Sequence, residues 1–200
     1  MEMSTASSSE PNRGRRTNRP RWRSVGALVI AGAVVLGFYT PGPSVRPASA
    51  ALTLALCPFA TATLFFTPGV RVGPQVPVTI AGIGSGSPCI SLAFPLLSSF
   101  TAVGDGVGMG SCESGGSATG DGVITWNDGV TSDVTGNGAM SVNLSRGSIS
   151  ANLGARITAG RFNGATVSAF GTGVFNPLDC FTPGGVSSVV LAGSATVLSL

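Results

Sequence analysis

The chain has 200 residues, 30 of them glycine, with eleven arginines, eight acids, and neither lysine nor histidine. Only 10% of the residues are charged and 43% are hydrophobic, which excludes intrinsic disorder, because disorder needs low hydrophobicity and high charge. Without histidine the commonest general base and the Ser-His nucleophile pair are missing, and without lysine the Ser-Lys alternative is too.

Residues 1–50 differ in kind from the rest. Six arginines lie between Arg13 and Arg23, an uncharged run extends from Ser24 to Tyr39, and Pro41, Gly42, Pro43 and Pro47 precede Ala48-Ser49-Ala50. A basic n-region (1–23), an apolar h-region (24–39) and an A-x-A site make a secretory signal peptide, with cleavage expected after Ala50. The alternative is a retained membrane anchor, but the run is shorter than the roughly 20 residues that span a bilayer. Arg15-Arg16 raises the twin-arginine route, although Thr17-Asn18-Arg19 lack the hydrophobic residues it favours. Leu54-Ala55-Leu56-Cys57 is a poor lipobox.

The mature part, 51–200, keeps four arginines against six acids, a formal net charge of −2. The basic character of the whole chain is therefore an export signal and no footprint for nucleic acid, which needs a basic face on the folded domain. Arginine without lysine, beside abundant Gly, Ala and Val, suggests a GC-rich bacterial genome. The cysteines, Cys57, Cys89, Cys112 and Cys180, all lie in this part. An even count in an exported chain reads as two disulfides. Three pairings are open, and the favoured one joins Cys89 to Cys112 and Cys57 to Cys180. No C-x-x-C pair and no histidine are present to build a zinc site, and no metal or cofactor is expected.

In chain order, Thr61–Phe66 reads as a strand. Val76, Val78 and Ile80 alternate, but Pro77 argues for an edge strand. Leu92–Phe100 is apolar, with Pro95 inside it. Gly104–Gly120 is glycine- and serine-rich and reads as a surface loop tied down by Cys112. Val123–Trp126 and Val130–Val134 flank an Asp128-Gly129 turn, and Asn137-Gly138 supplies another turn signal. Met140–Leu144 and Ser148–Thr158 alternate apolar and polar around Ser145-Arg146-Gly147. Asn163-Gly164 joins Ile157–Phe162 to Ala165–Phe170, and Pro183-Gly184-Gly185 precedes a last strand, Val186–Leu198. The expectation is a single all-β domain of about eight strands, an antiparallel β-sandwich or short β-barrel.

Little in this part points to catalysis. The acids Asp105, Glu113, Asp121, Asp128, Asp133 and Asp179 could in principle supply a hydrolytic carboxylate pair, but most stand in turn-like contexts such as Gly-Asp-Gly. Gly104–Gly110 departs from a phosphate cradle because Met109 takes the third glycine site. No calcium-loop spacing exists. Trp126, the one tryptophan after the leader, reads as a core plug or cross-strand partner.

The stretches Gly122–Ser132, Thr158–Val167 and Asp179-Cys180 followed by Pro183-Gly184-Gly185-Val186 resemble small exported actinobacterial β-domain proteins of unassigned function, a resemblance that implies no catalytic residues. Gly160–Thr166 is also similar to a hairpin of allene-oxide-cyclase and dirigent-like barrels, which carry a further glycine where Val167 stands here. The expected function is that of an exported, non-catalytic protein of the cell wall or medium that binds a partner or self-associates. The alternative is a barrel that holds a small apolar ligand, as a binder or as a cyclase or isomerase; a carboxylate-dependent hydrolase comes third. No nucleic-acid partner is expected, and membrane contact is expected only through the leader.

Overall fold

The computed structural model describes residues 51–199, so the signal peptide read in residues 1–50 lies outside it. The described chain is all-β apart from two single-turn 3₁₀ segments. Eight strands follow one another up and down: β1 Thr53–Val70, β2 Val76–Gly86, β3 Phe100–Ser111, β4 Gly115–Trp126, β5 Thr131–Asn143, β6 Ser148–Gly160, β7 Thr166–Val174 and β8 Val186–Leu198. Each pairs antiparallel with its neighbour, and β8 pairs with β1 to close a barrel. Of the two architectures expected, the barrel is the one formed.

The register gives its size. Directly paired residues run from Ser141 on β5 through Ser150, Thr172, Ala192, Thr61, Ser85, Thr101 and Thr125, and return to β5 at Thr131, ten residues earlier. Eight strands with that stagger tilt by about 40° and set a backbone radius of about 8 Å. A barrel of this size has an interior that side chains can just fill, or that leaves room for one small ligand.

Strand parity assigns the two faces. Phe100, Ala102, Gly104, Gly106, Gly108 and Gly110 of β3 point inward, while Thr101, Val103, Asp105, Val107 and Met109 point out. The glycine-rich stretch expected to be a surface loop is therefore the β3–β4 hairpin. Its glycines recur every second residue because the wall bends sharply there: a Cβ on Gly106 would overlap the Thr119 carbonyl oxygen, and one on Gly120 the Asp105 carbonyl oxygen. Asn137-Gly138 is likewise no turn but the middle of β5, where Gly138 faces inward opposite Leu153. β2 pairs with β1 on one side and β3 on the other, so it is not the edge strand Pro77 suggested; Pro77 lies beyond the last β1–β2 pair, Thr67↔Thr79, and breaks no ladder bond to β1. The last strand matches its expected bounds, Val186–Leu198.

Two apolar clusters occupy the two ends. Trp126, Ile124, Ile157, Val167, Val197 and Leu97 pack at the end where β1 begins; Phe66, Ile149, Val186, Val189 and Leu191 pack at the other. Each end carries one disulfide, Cys57–Cys89 at the first and Cys112–Cys180 at the second. This corrects the favoured pairing. In an up-and-down barrel Cys89, before β3, and Cys112, after it, sit at opposite ends of that strand, as do Cys57 and Cys180 across the barrel. Either link would have to span a whole strand, far beyond the 7 Å that a disulfide tolerates between Cα atoms.

Candidate functional site: the barrel interior

Between the end clusters the inward positions are mostly Gly and Ala, too small to fill the lumen. A cavity of about 340 Å³ remains, lined by all eight strands. The side chains reaching it include Leu64, Ile80, Ala102, Ile124, Met140, Leu153, Ala169 and Leu191, one from each strand in order. Leu153 shows the void directly. It points inward between Gly138 and Ala169, yet is 46% exposed, so its free surface faces the lumen.

The polar residues along the wall, among them Asp105, Asp121, Asn137 and Asn152, sit at outward parity and offer the lumen only backbone already paired in the ladders. Among the described residues, no titratable, hydroxyl or amide side chain points inside at the level of the cavity. Such a chamber has the size and the apolar lining to hold a small apolar molecule.

The end nearest Trp126 is braced by an aromatic and polar network. Trp126 is buried, and its indole Nε1 donates to Ser132 Oγ at 2.9 Å; that hydroxyl donates to the Arg161 carbonyl at 2.6 Å. Phe100 and Phe162 meet the indole edge-on, with centroids at 6.0 and 5.4 Å, and Phe94 meets Phe162 at 5.2 Å. Phe162 adopts φ +59°, a left-handed conformation uncommon for a bulky residue. It is held in the Asn163-Gly164 turn by the Ala165 N–H, which donates to its carbonyl. The Arg161 guanidinium lies 4.6 Å over the Phe94 ring and bonds both carboxylate oxygens of Asp128.

That ion pair holds the Asp128 carboxyl below its ordinary pKa of 3.8, chiefly through the hydrogen bond from Arg161. A carboxylate with a lowered folded pKa stabilises the fold above its unfolded pKa and loses that contribution as the pH falls through the folded value. The stability gap between the wild type and Asp128→Asn should therefore be constant at neutral pH and close as acid denaturation proceeds below pH 3.8. Urea melts at stepped pH check it; a gap that persists in strong acid contradicts it.

The other acids are dispersed. Glu113 follows β3, Asp179 lies in the 3₁₀ turn Pro177–Phe181, and Asp133 points out from β5. Asp105 and Asp121 are not in turns, as their Gly-Asp-Gly contexts suggested. They are directly paired on the outer wall of β3 and β4, where Thr135 Oγ1 donates to Asp121. This is the only cross-strand acid pair among the described residues, and it stands on a convex surface that encloses no substrate.

Sequence reasoning did not locate the cavity. Its signal was present in Gly104-x-Gly106-x-Gly108-x-Gly110, a period of two in glycine rather than in hydrophobicity, which is the mark of a strand whose inner face is deliberately bare. No protein-family model, curated protein or solved structure matches the chain.

Proposed function

We propose that the protein is an exported, non-catalytic β-barrel that binds a small apolar molecule in its interior. The observation that carries this reading is the cavity of about 340 Å³, with no inward polar side chain at its level among the described residues. An apolar void of about 150 Å³ already accommodates benzene, and ligand sites commonly run from about 300 to 1,000 Å³. A cyclase or isomerase would need at least one polar group beside its ligand, and no inward residue at this level supplies one. The two disulfides point to an oxidising compartment. The outer wall is mixed: the row from Ser141 round to Thr131 carries a hydroxyl at every position but Ala192, and Ile83, Val103, Val107 and Val190 are exposed beside Asp105, Asp121 and Asp133, whereas a lipid-spanning barrel shows a continuous apolar band outward. Closure by β8 on β1 also leaves no free sheet edge for strand-to-strand assembly.

The test is titration of the oxidised protein with the apolar dye 1-N-phenylnaphthylamine. Saturable binding with quenching of Trp126 is expected, and Ala169→Phe, which projects a ring into the lumen, should weaken it at least about tenfold, or 1.4 kcal/mol. An absence of saturable binding, or equal binding by Ala169→Phe, would overturn the reading.

A further inference from the structure

The chamber has a shape as well as a volume. At its level each strand gives two successive inward positions to the lumen, such as Ala60 and Ala62 on β1 or Gly193 and Ala195 on β8, and among all of these only Leu153 on β6 is larger than alanine. Beyond them the lumen is stopped at both ends. Trp126, Ile124 and Ile157 are buried in one plug, joined by Leu97 from the β2–β3 loop, residues 87–99; Phe66, Val189 and Leu191 are buried in the other. Leu191 and Val197 belong to opposite plugs and stand six residues apart on β8. At the rise of a strand and the tilt of this barrel, that is about 15 Å along the axis between Cα atoms. This distance is close to the diameter of the backbone cylinder, so the chamber is about as tall as it is wide.

Part of the bare lining is forced by the wall, and part is not. A Cβ on Gly104, Gly120 or Gly193 would run into a backbone oxygen, so nothing larger fits there. A Cβ on Gly138 would meet only ordinary contacts, and Ala62, Ala102, Ala155 and Ala169 already carry one that points inward. Longer apolar side chains at such positions would fill the lumen and stabilise the fold, as they do in the two plugs. Leu153 is the one that enters. It stands on β6, across the eight-stranded barrel from β2, which presents Gly82 and Gly84 at its level. Its half-exposed side chain therefore ends in open lumen and not against the far wall.

We infer that the guest is a compact, uncharged ring system of about two to four fused rings and not an acyl chain, and that Leu153 sets the size admitted. The inference rests on the proposed binding reading and adds the ligand's shape to it. The chamber offers about twice the room of a void that holds benzene. A stretched chain of as many carbons is longer than the gap between the plugs. It must fold back on itself and give up rotational freedom, whereas a rigid ring system has none to lose. The carboxylate of a fatty acid would also be stripped of water beside a lining that offers it no partner.

The experiment is displacement of 1-N-phenylnaphthylamine from the oxidised protein by phenanthrene, tetradecanol and myristic acid, which share one carbon count but differ in shape and charge. Phenanthrene should displace the dye at concentrations at least about tenfold below either chain. Leu153→Ala should shift the preference between pyrene and naphthalene toward pyrene, and Leu153→Phe toward naphthalene, each by about tenfold. Cooperative melts show that both variants fold. Displacement by tetradecanol at the same concentration as phenanthrene, or tighter binding of myristic acid, overturns the inference while dye binding, and with it the binding reading, stands. A pyrene-to-naphthalene preference that two folded variants leave unmoved, or move in the same direction, removes Leu153 from its role. An absence of saturable dye binding overturns both readings. The wild-type comparison needs no variant, so it decides the ligand's shape even where a change at Leu153 unfolds the barrel.

Discussion

Reducing both disulfides should unfold the protein at physiological temperature. The Cys112–Cys180 link closes a separation of 68 residues and Cys57–Cys89 one of 32. In the chain-entropy account these are worth about 4.4 and about 3.7 kcal/mol. Together they rival the whole net stability of an ordinary domain, about 5–15 kcal/mol. The barrel is more dependent on them than most, because its middle buries few large side chains and its apolar packing is confined to two end clusters. The links also differ in kind. Cys112–Cys180 joins the β3–β4 turn to the β7–β8 connection across the barrel, whereas Cys57–Cys89 ties the first strand to the loop over its own end. Cys112→Ala/Cys180→Ala should therefore cost more in urea melts, by up to about 4 kcal/mol, and Cys57→Ala/Cys89→Ala should mainly loosen the loop that bears Leu92 and Leu96. Hydrogen exchange after each change separates the two, and a reduced protein that keeps its β circular-dichroism signal and its cooperative melt contradicts the expectation.

How much of this was legible in the sequence depends on which side chains carried the signal. Where a strand alternates large apolar with polar residues, as in Ser148–Thr158 and Val186–Leu198, period-two reading found it, because burial of one face leaves that trace. Where the inward face is glycine, as in β3 and β4, hydrophobic alternation vanishes, and the same residues look like a loop. Asn137-Gly138 misled for a related reason: the dipeptide favours turns only when the backbone needs positive φ, and here Gly138 is chosen for the space it leaves opposite Leu153. The short strands read at Val130–Val134 and Met140–Leu144 are two pieces of β5, split by that false turn. Disulfide pairing was out of reach because it follows from which turns share an end of the barrel, and that is fixed only once all eight strands are counted. The cavity followed the same logic, since a void is defined by side chains that are absent from eight strands at once.

The sharpest test of the bare inner face is a contrast among glycines that look alike in sequence. Gly120 and Gly193 stand where a Cβ would collide with the carbonyl oxygens of Asp105 and Phe170, backbone atoms that cannot move without breaking the ladder. Gly138 also faces inward, but its nearest atoms would be Asn152 O at 3.4 Å and a Leu153 methyl at 3.8 Å, ordinary contacts at the edge of the lumen. Gly120→Ala and Gly193→Ala should each lose about 3 kcal/mol, at the upper end of overpacking costs, and either alone should lower the urea midpoint visibly. Gly138→Ala should be neutral or gain up to about 1 kcal/mol, because alanine restricts the unfolded chain and meets nothing in the folded one. Its added methyl should leave dye binding in place, whereas the Phe ring at position 169 removes it. If all three glycines tolerated alanine equally, the wall would not be bent as tightly as the register implies. If Gly138→Ala were as damaging as the others, the space beside Leu153 would be filled in solution and the ligand chamber would not exist.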